Sequence, residues 1–190
     1  MNRIPEYLIG TVVSPSKTFR EINKITKIKE YFVVMFVLLV CMHILAYLVP
    51  FSQKGLSPEL KNVTNLIRQL SIVLTPIWYV LATYVQHLTA RLFSKTGKFI
   101  QLLELELAIG LVYLVLDSAA RIVQIFVPHL EFLSLGIFIW CCYVSVIALC
   151  VVYKISWQKS LFASLLNFVW MVIFFVILIL SGVLYFVLNK

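Results

Sequence analysis

The chain has 190 residues, of which 62% are apolar and only 13% charged, and its sixteen lysines and arginines against eight acids give a net charge of +8. Soluble domains run at about 45–50% apolar and about 25% charged, so this composition excludes a water-soluble globular protein. It describes an integral membrane protein, for which membrane lipids are expected as partners and nucleic acid is not.

Residues 1–30 read as a cytoplasmic segment. Within it "SPSKTFREI", Ser14 to Ile22, offers Ser14 as a helix cap and Pro15 at the first helical position. Phe19, Ile22, Ile25 and Ile28 then recur every three residues, while Lys17, Arg20, Lys24 and Lys27 take other faces. The pattern predicts a short amphipathic helix lying on the inner leaflet, with the apolar "IPEYLIGTVV" upstream continuing that contact. The first apolar run is not a cleavable signal, because thirty residues of mixed charge precede it and no small-residue cleavage site follows.

Five apolar runs come next, at 31–49, 67–92, 102–127, 132–153 and 161–188. Each reaches or approaches the ~20 residues that a helix needs to cross ~30 Å of hydrocarbon. Their connections are short, so neighbouring spans lie antiparallel and residues 31–190 form one all-α polytopic bundle of five transmembrane helices. In the first loop "SPEL" places Ser57 as a cap and Pro58 at the start of the second helix, ahead of the hydrocarbon, and Pro76 predicts a kink within it. Lysines and arginines set the orientation. Six precede the first run, three (Arg91, Lys95, Lys98) follow the second and two (Lys154, Lys159) follow the fourth. The N-terminus is therefore expected in the cytoplasm and the C-terminus on the opposite side, in the cell membrane of a prokaryote or an endomembrane of a eukaryote.

The third run carries Glu106, Gly110, Tyr113, Asp117, Arg121 and Gln124 within an arc of roughly 80°, taking about 100° per residue. A charged group at mid-bilayer costs about 2.5–3.5 kcal/mol, so this face should point into protein or a wet cavity. The second run has a matching face of Ser71, Thr75, Tyr79, Ala82, Gln86 and Thr89, and the two helices are expected to pack along it. Such a seam is either a self-satisfied structural network or a path for a proton, ion or solute, as in a small transporter, channel or lipid-moving protein. Ser160, Ser164 and Asn167 on the last run read as packing residues. The four cysteines, Cys41, Cys141, Cys142 and Cys150, lie inside apolar runs without ligand spacing, and His43, His87 and His129 are scattered. No metal, no cofactor and no catalytic residue is expected: Glu104 and Glu106 lie on nearly opposite faces and cannot act as an acid/base pair, and no hydrolase, zincin or phosphate-loop motif occurs.

"SPSKTFREI" resembles the "P-x-x-T-F-x-x-I" opening of the Yip family of Ypt/Rab-GTPase-interacting membrane proteins. "HLTARLFSKTGKFIQLLELELAIG" is similar to that family's second cytoplasmic connection, and "YKISWQKS" to the segment before its last span. The order of these segments carries the resemblance over nearly the whole chain. Two departures qualify it: the long N-terminal region usual in eukaryotic members is not seen here, and "SKTGKF" stands where the family has a more glycine-rich "GGxGSF". The first departure suits a prokaryotic-type member and weighs against binding of a Rab GTPase. The resemblance implies a non-enzymatic role in membrane organisation or trafficking, with a small GTPase as partner only in a eukaryotic-like member. The surface expected to engage a cytoplasmic protein or anionic lipid comprises Pro15, Thr18, Phe19, Arg20, Arg91, Lys95, Lys98, Phe99, Lys154 and Lys159, and a homo-oligomer is compatible with it.

Overall fold

The computed structural model describes residues 4–22, 28–48, 58–127, 130 and 132–188. Seven helices follow in chain order: α1 (Ile4–Val13), α2 (Pro15–Ile22), α3 (Ile28–Leu48), α4 (Pro58–Arg91), α5 (Phe99–Phe126), α6 (Phe132–Tyr153) and α7 (Trp157–Leu188). Among the described residues three stretches are long and apolar enough to cross a membrane: Phe99–Gln124 of α5, Phe132–Tyr153, which is all of α6, and Trp157–Phe174 of α7. In hydrocarbon only a continuous helix satisfies every backbone donor and acceptor within its own segment. α4 starts at Pro58 and remains helical through Pro76. Lys24, Ile25, Lys27, Ser57 and His129, and the side chains of His43 and Ser71, lie outside the described residues.

α5 is the axis of the bundle. It packs against α1, α2, α3, α4 and α6, and α7 closes the assembly by lying on α4 and α6. Burial is concentrated toward one end, here the near end, which carries the connections 92–98 and 154–156. There Leu102, Leu105, Leu107 and Leu111 of α5 meet Val144, Leu149 and Tyr153 of α6 and Tyr31 and Met35 of α3 in one core. Farther along, Val115, Ile122 and Phe126 of α5 and Phe132, Leu135 and Phe138 of α6 are exposed, as helices surrounded by lipid should be.

The N-terminal pair departs from the sequence expectation. α2 does carry its apolar residues on one side, but Thr18, Phe19 and Ile22 are buried within the protein, Phe19 completely, where α2 packs on α6 and α1 on α5. A stripe that could lie in lipid is here met by the bundle, and Lys17 and Arg20 are left exposed on the opposite face. A single residue, Ser14, separates the two helices; its N–H donates to the Gly10 carbonyl (2.8 Å) and its own carbonyl accepts from Thr18 N–H (3.1 Å). The corner is tight enough that a Cβ on Gly10 would stand 2.5 Å from the Thr18 hydroxyl, so a side chain at that position would force α1 and α2 apart. Thr11 donates to the Tyr7 carbonyl (2.8 Å), which satisfies its buried hydroxyl inside α1.

Truncating a fully buried phenylalanine removes both its transfer energy and its packing. Phe19→Ala should therefore lower stability by about 3 kcal/mol, while Lys17→Ala stays within about 0.5 kcal/mol, measured by denaturation in a mild detergent. Equal, small effects would place α2 on lipid instead of protein.

Candidate functional site

Three helices meet at a part-buried polar network toward the near end of the bundle. The side-chain amide of Gln86 on α4 donates to Ser145 Oγ on α6 (2.9 Å), and Ser145 donates in turn to Glu106 Oε1 on α5 (2.5 Å). One turn along α5, Gly110 lets Tyr79 of α4 lie against the helix: a Cβ there would stand 2.6 Å from the Tyr79 ring and hydroxyl. A carboxyl group taken out of water is costly unless it is hydrogen-bonded, and Ser145 supplies that bond from a third helix. Sequence reasoning missed Ser145. Its only signal was one hydroxyl in the otherwise apolar stretch "YVSVIALC".

The seam does not continue as an unbroken line. Asp117 lies about 16 Å farther along α5 at ~1.5 Å per residue. Its Oδ2 accepts from Arg121 Nε at 2.7 Å, with the Arg121 side chain 68% exposed and that of Asp117 only 7%. Arg121 thus lies along the outside of the helix and reaches back, as long cationic side chains do at a lipid boundary. Asp117 Oδ1 is buried and has no hydrogen-bond partner among the described residues. Gln124 serves the turn into α6, donating to the Leu130 carbonyl (3.2 Å) and Ser134 Oγ (3.4 Å). Tyr113 and Thr75 are half-buried. Of the residues predicted along this face, the structure joins Gln86 with Glu106 through Ser145 and Asp117 with Arg121, and sets Gln124 at the far loop.

The near end presents the second group. Arg20, Arg91, Lys95, Lys98, Lys154 and Lys159 are exposed, Pro15 and Phe99 half-buried, and Thr18 and Phe19 buried. The aromatic members of the expected surface are therefore structural. Phe99 packs edge-on against Tyr84 (5.7 Å) and His87 (5.8 Å). His87 Nδ1 and the Tyr153 hydroxyl are hydrogen-bonded, and Thr96 Oγ1 donates to the Tyr153 carbonyl at 2.9 Å. Gly97 lies against the face of the Tyr153 ring, where any side chain would collide. Lys154 turns the chain from α6 toward α7 with φ at 53°, a left-handed conformation uncommon outside glycine and asparagine. Both connections are pinned to the core in this way, and the cations they carry have fixed roots. On α7, Ser160 is fully buried and accepts from Cys150 Sγ at 3.1 Å, consistent with packing. Among the described residues no three histidines, cysteines or acids come together as a metal site.

A family model, described as the Yip1 domain, matches residues 9–188. No curated protein and no solved structure matches the chain.

Removing one partner of a buried hydrogen bond strands the other at about 1–3 kcal/mol, whereas replacing both with apolar groups is nearly neutral. Ser145→Ala should destabilise by that amount, and Glu106→Leu in the same chain should recover most of the loss. A denaturation series over the two single variants and the double variant measures the coupling directly; strictly additive effects would mean that the bond contributes nothing.

Proposed function

The chain belongs to the Yip1 family, and from that premise we propose that it is a non-enzymatic, five-span membrane protein that organises membranes or their traffic through its cytoplasmic face. In this reading α3 to α7 are the spans, the N-terminus and the near end face the cytoplasm, and the C-terminus lies on the other side. The observation that carries it is the single sign of the exposed charge on the two near-end connections: Arg91, Lys95, Lys98, Lys154 and Lys159 stand there with no acid between them in either segment. Cytoplasmic loops carry this excess. Cations held at the surface of an anionic leaflet attract either its lipids or an acidic partner.

Because all five are exposed, their replacement by glutamine should change stability by less than about 0.5 kcal/mol in total per site. The quintuple variant should fail to restore membrane organisation in cells lacking the protein, although it accumulates and folds as the wild type does. Full restoration by that variant would end the reading. Orientation is checked separately: trypsin should cut after Lys95 and Lys159 only from the cytoplasmic side of sealed vesicles.

One observation favours a second reading, a small transporter, channel or lipid-moving protein that uses the seam between α4 and α5. Asp117 Oδ1 is a buried acceptor without a partner among the described residues, and intramembrane carboxylates in that condition often mark ion or proton paths. On this reading Asp117→Asn abolishes proton flux in proteoliposomes while the bundle stays folded. The gap between Asp117 and the Glu106 network argues for the structural role, in which no flux is seen from either protein.

A further inference from the structure

A cavity lies away from both polar groups, on the lipid-facing seam between α4 and α7. These antiparallel helices are joined by two aromatic clasps. Trp78 meets Phe174 at 6.1 Å near mid-helix, and Phe93 meets Phe162 edge-on at 5.9 Å at the near end. Along this seam lies a groove of about 470 Å³, lined by Leu81, Val85 and Leu88 of α4, by Leu92 just beyond its end, and by Trp170 and Met171 of α7. Its one hydroxyl, Thr89, is already committed to the Gln86 carbonyl at 2.9 Å. The groove therefore selects for hydrocarbon. From Trp78 to Leu92 it extends about 21 Å at ~1.5 Å per residue, longer than the ~15 Å of one leaflet's hydrocarbon.

At its near end the groove reaches Leu92, and the charged residues that flank Leu92 in the chain are all basic. Leu92 lines the groove, Arg91 is its exposed neighbour, and Lys95 follows three residues later, also exposed. No Asp or Glu occurs between residues 84 and 103 or from 154 to the end of the chain, so nothing on either wall neutralises these bases. We propose that this groove holds an acyl chain of an anionic phospholipid, with the lipid phosphate at Arg91 and Lys95. An apolar slot bounded by two clasps takes a chain, and a cationic rim at leaflet depth chooses the headgroup charge. A second copy of the protein suits the site poorly, because a two-fold axis along the membrane normal would bring the two sets of bases side by side. The proposal deepens the cytoplasmic-face reading and rests on it for the leaflet from which the lipid comes.

The groove supplies its own reporters. Two of the four tryptophans, Trp78 and Trp170, line it, while Trp140 lies on α6 in a different cavity, beside Val12 of α1. Two proteins are reconstituted in phosphatidylcholine bilayers: Trp140→Phe/Trp157→Phe, which reports the groove, and Trp78→Phe/Trp157→Phe/Trp170→Phe, which reports Trp140. Small, equal mole fractions of brominated phosphatidylglycerol or brominated phosphatidylcholine are then added. The groove tryptophans should show a preference of roughly fivefold for the anionic quencher, Trp140 no comparable preference, and Arg91→Gln/Lys95→Gln should abolish it. Arg91→Lys/Lys95→Arg, which keeps both charges, should retain it and controls for folding. Equal quenching by the two lipids, equal preference at both reporters, or a preference that survives the glutamine pair would overturn the site. So would quenching that falls as protein density rises, since a second copy would then cover the groove. The lipids are symmetric across these bilayers, so the result does not depend on orientation or on the cellular role tested above.

Discussion

A helix that brings Glu104, Glu106 and Asp117 into hydrocarbon has to be surrounded by protein. The rest of the architecture follows from that constraint on α5. Five other helices touch it, more than touch any other element, and its leucines at 102, 105, 107 and 111 are fully buried. Glu104 is buried among them and Glu106 is held by a serine from α6. Besides α3, α4 and α6, the short helices α1 and α2 also pack on α5. The short N-terminal helices are thus part of the core that shields the axis. Their apolar residues complete it, and Lys17 and Arg20 remain outside.

This arrangement separates two functions that the sequence presents together. Aromatic and basic residues alternate around the near-end connections, which suggests a mixed recognition surface. In the folded chain the aromatics turn inward: Phe99 against His87 and Tyr84, Tyr153 over Gly97, Phe93 onto Phe162. The bases turn outward. On the proposed reading, recognition at this face would rest on charge, with the apolar part of a lipid contact supplied along α4 and α7.

The helical class, the long apolar segments and the family were legible in the sequence, since runs such as "LSLGIFIWCCYVSVIALCVVY" admit no other economical folding in lipid. So was the local pairing of Asp117 with Arg121, one turn apart on a single helix. What could not be read was which surface each amphipathic stripe would meet. Phe19 and Ile22 look the same whether they face acyl chains or α6, because both are apolar and periodicity does not distinguish them. Ser145 was hidden for a related reason: a lone hydroxyl in an apolar helix acquires meaning only when another helix brings Glu106 to it. The groove between α4 and α7 had no signal at all. Its walls, Trp78 to Leu92 and Trp170 to Phe174, are brought together only by the packing of α7 on α4.

The uneven burial along the bundle has a mechanical consequence. Near-end segments of α5 and α6 are buried in the core, whereas their far halves present exposed faces at Val115, Ile122, Phe126, Leu135 and Phe138. Bilayers differ by several ångströms in hydrocarbon thickness, and a bundle answers a mismatch by tilting or bending its helices at a fraction of a kcal/mol per Å. In α5 and α6 that compliance belongs to the far half. As the membrane thickens or thins, the distal ends of these two helices adjust while the geometry of the base-bearing loops at their near ends is kept.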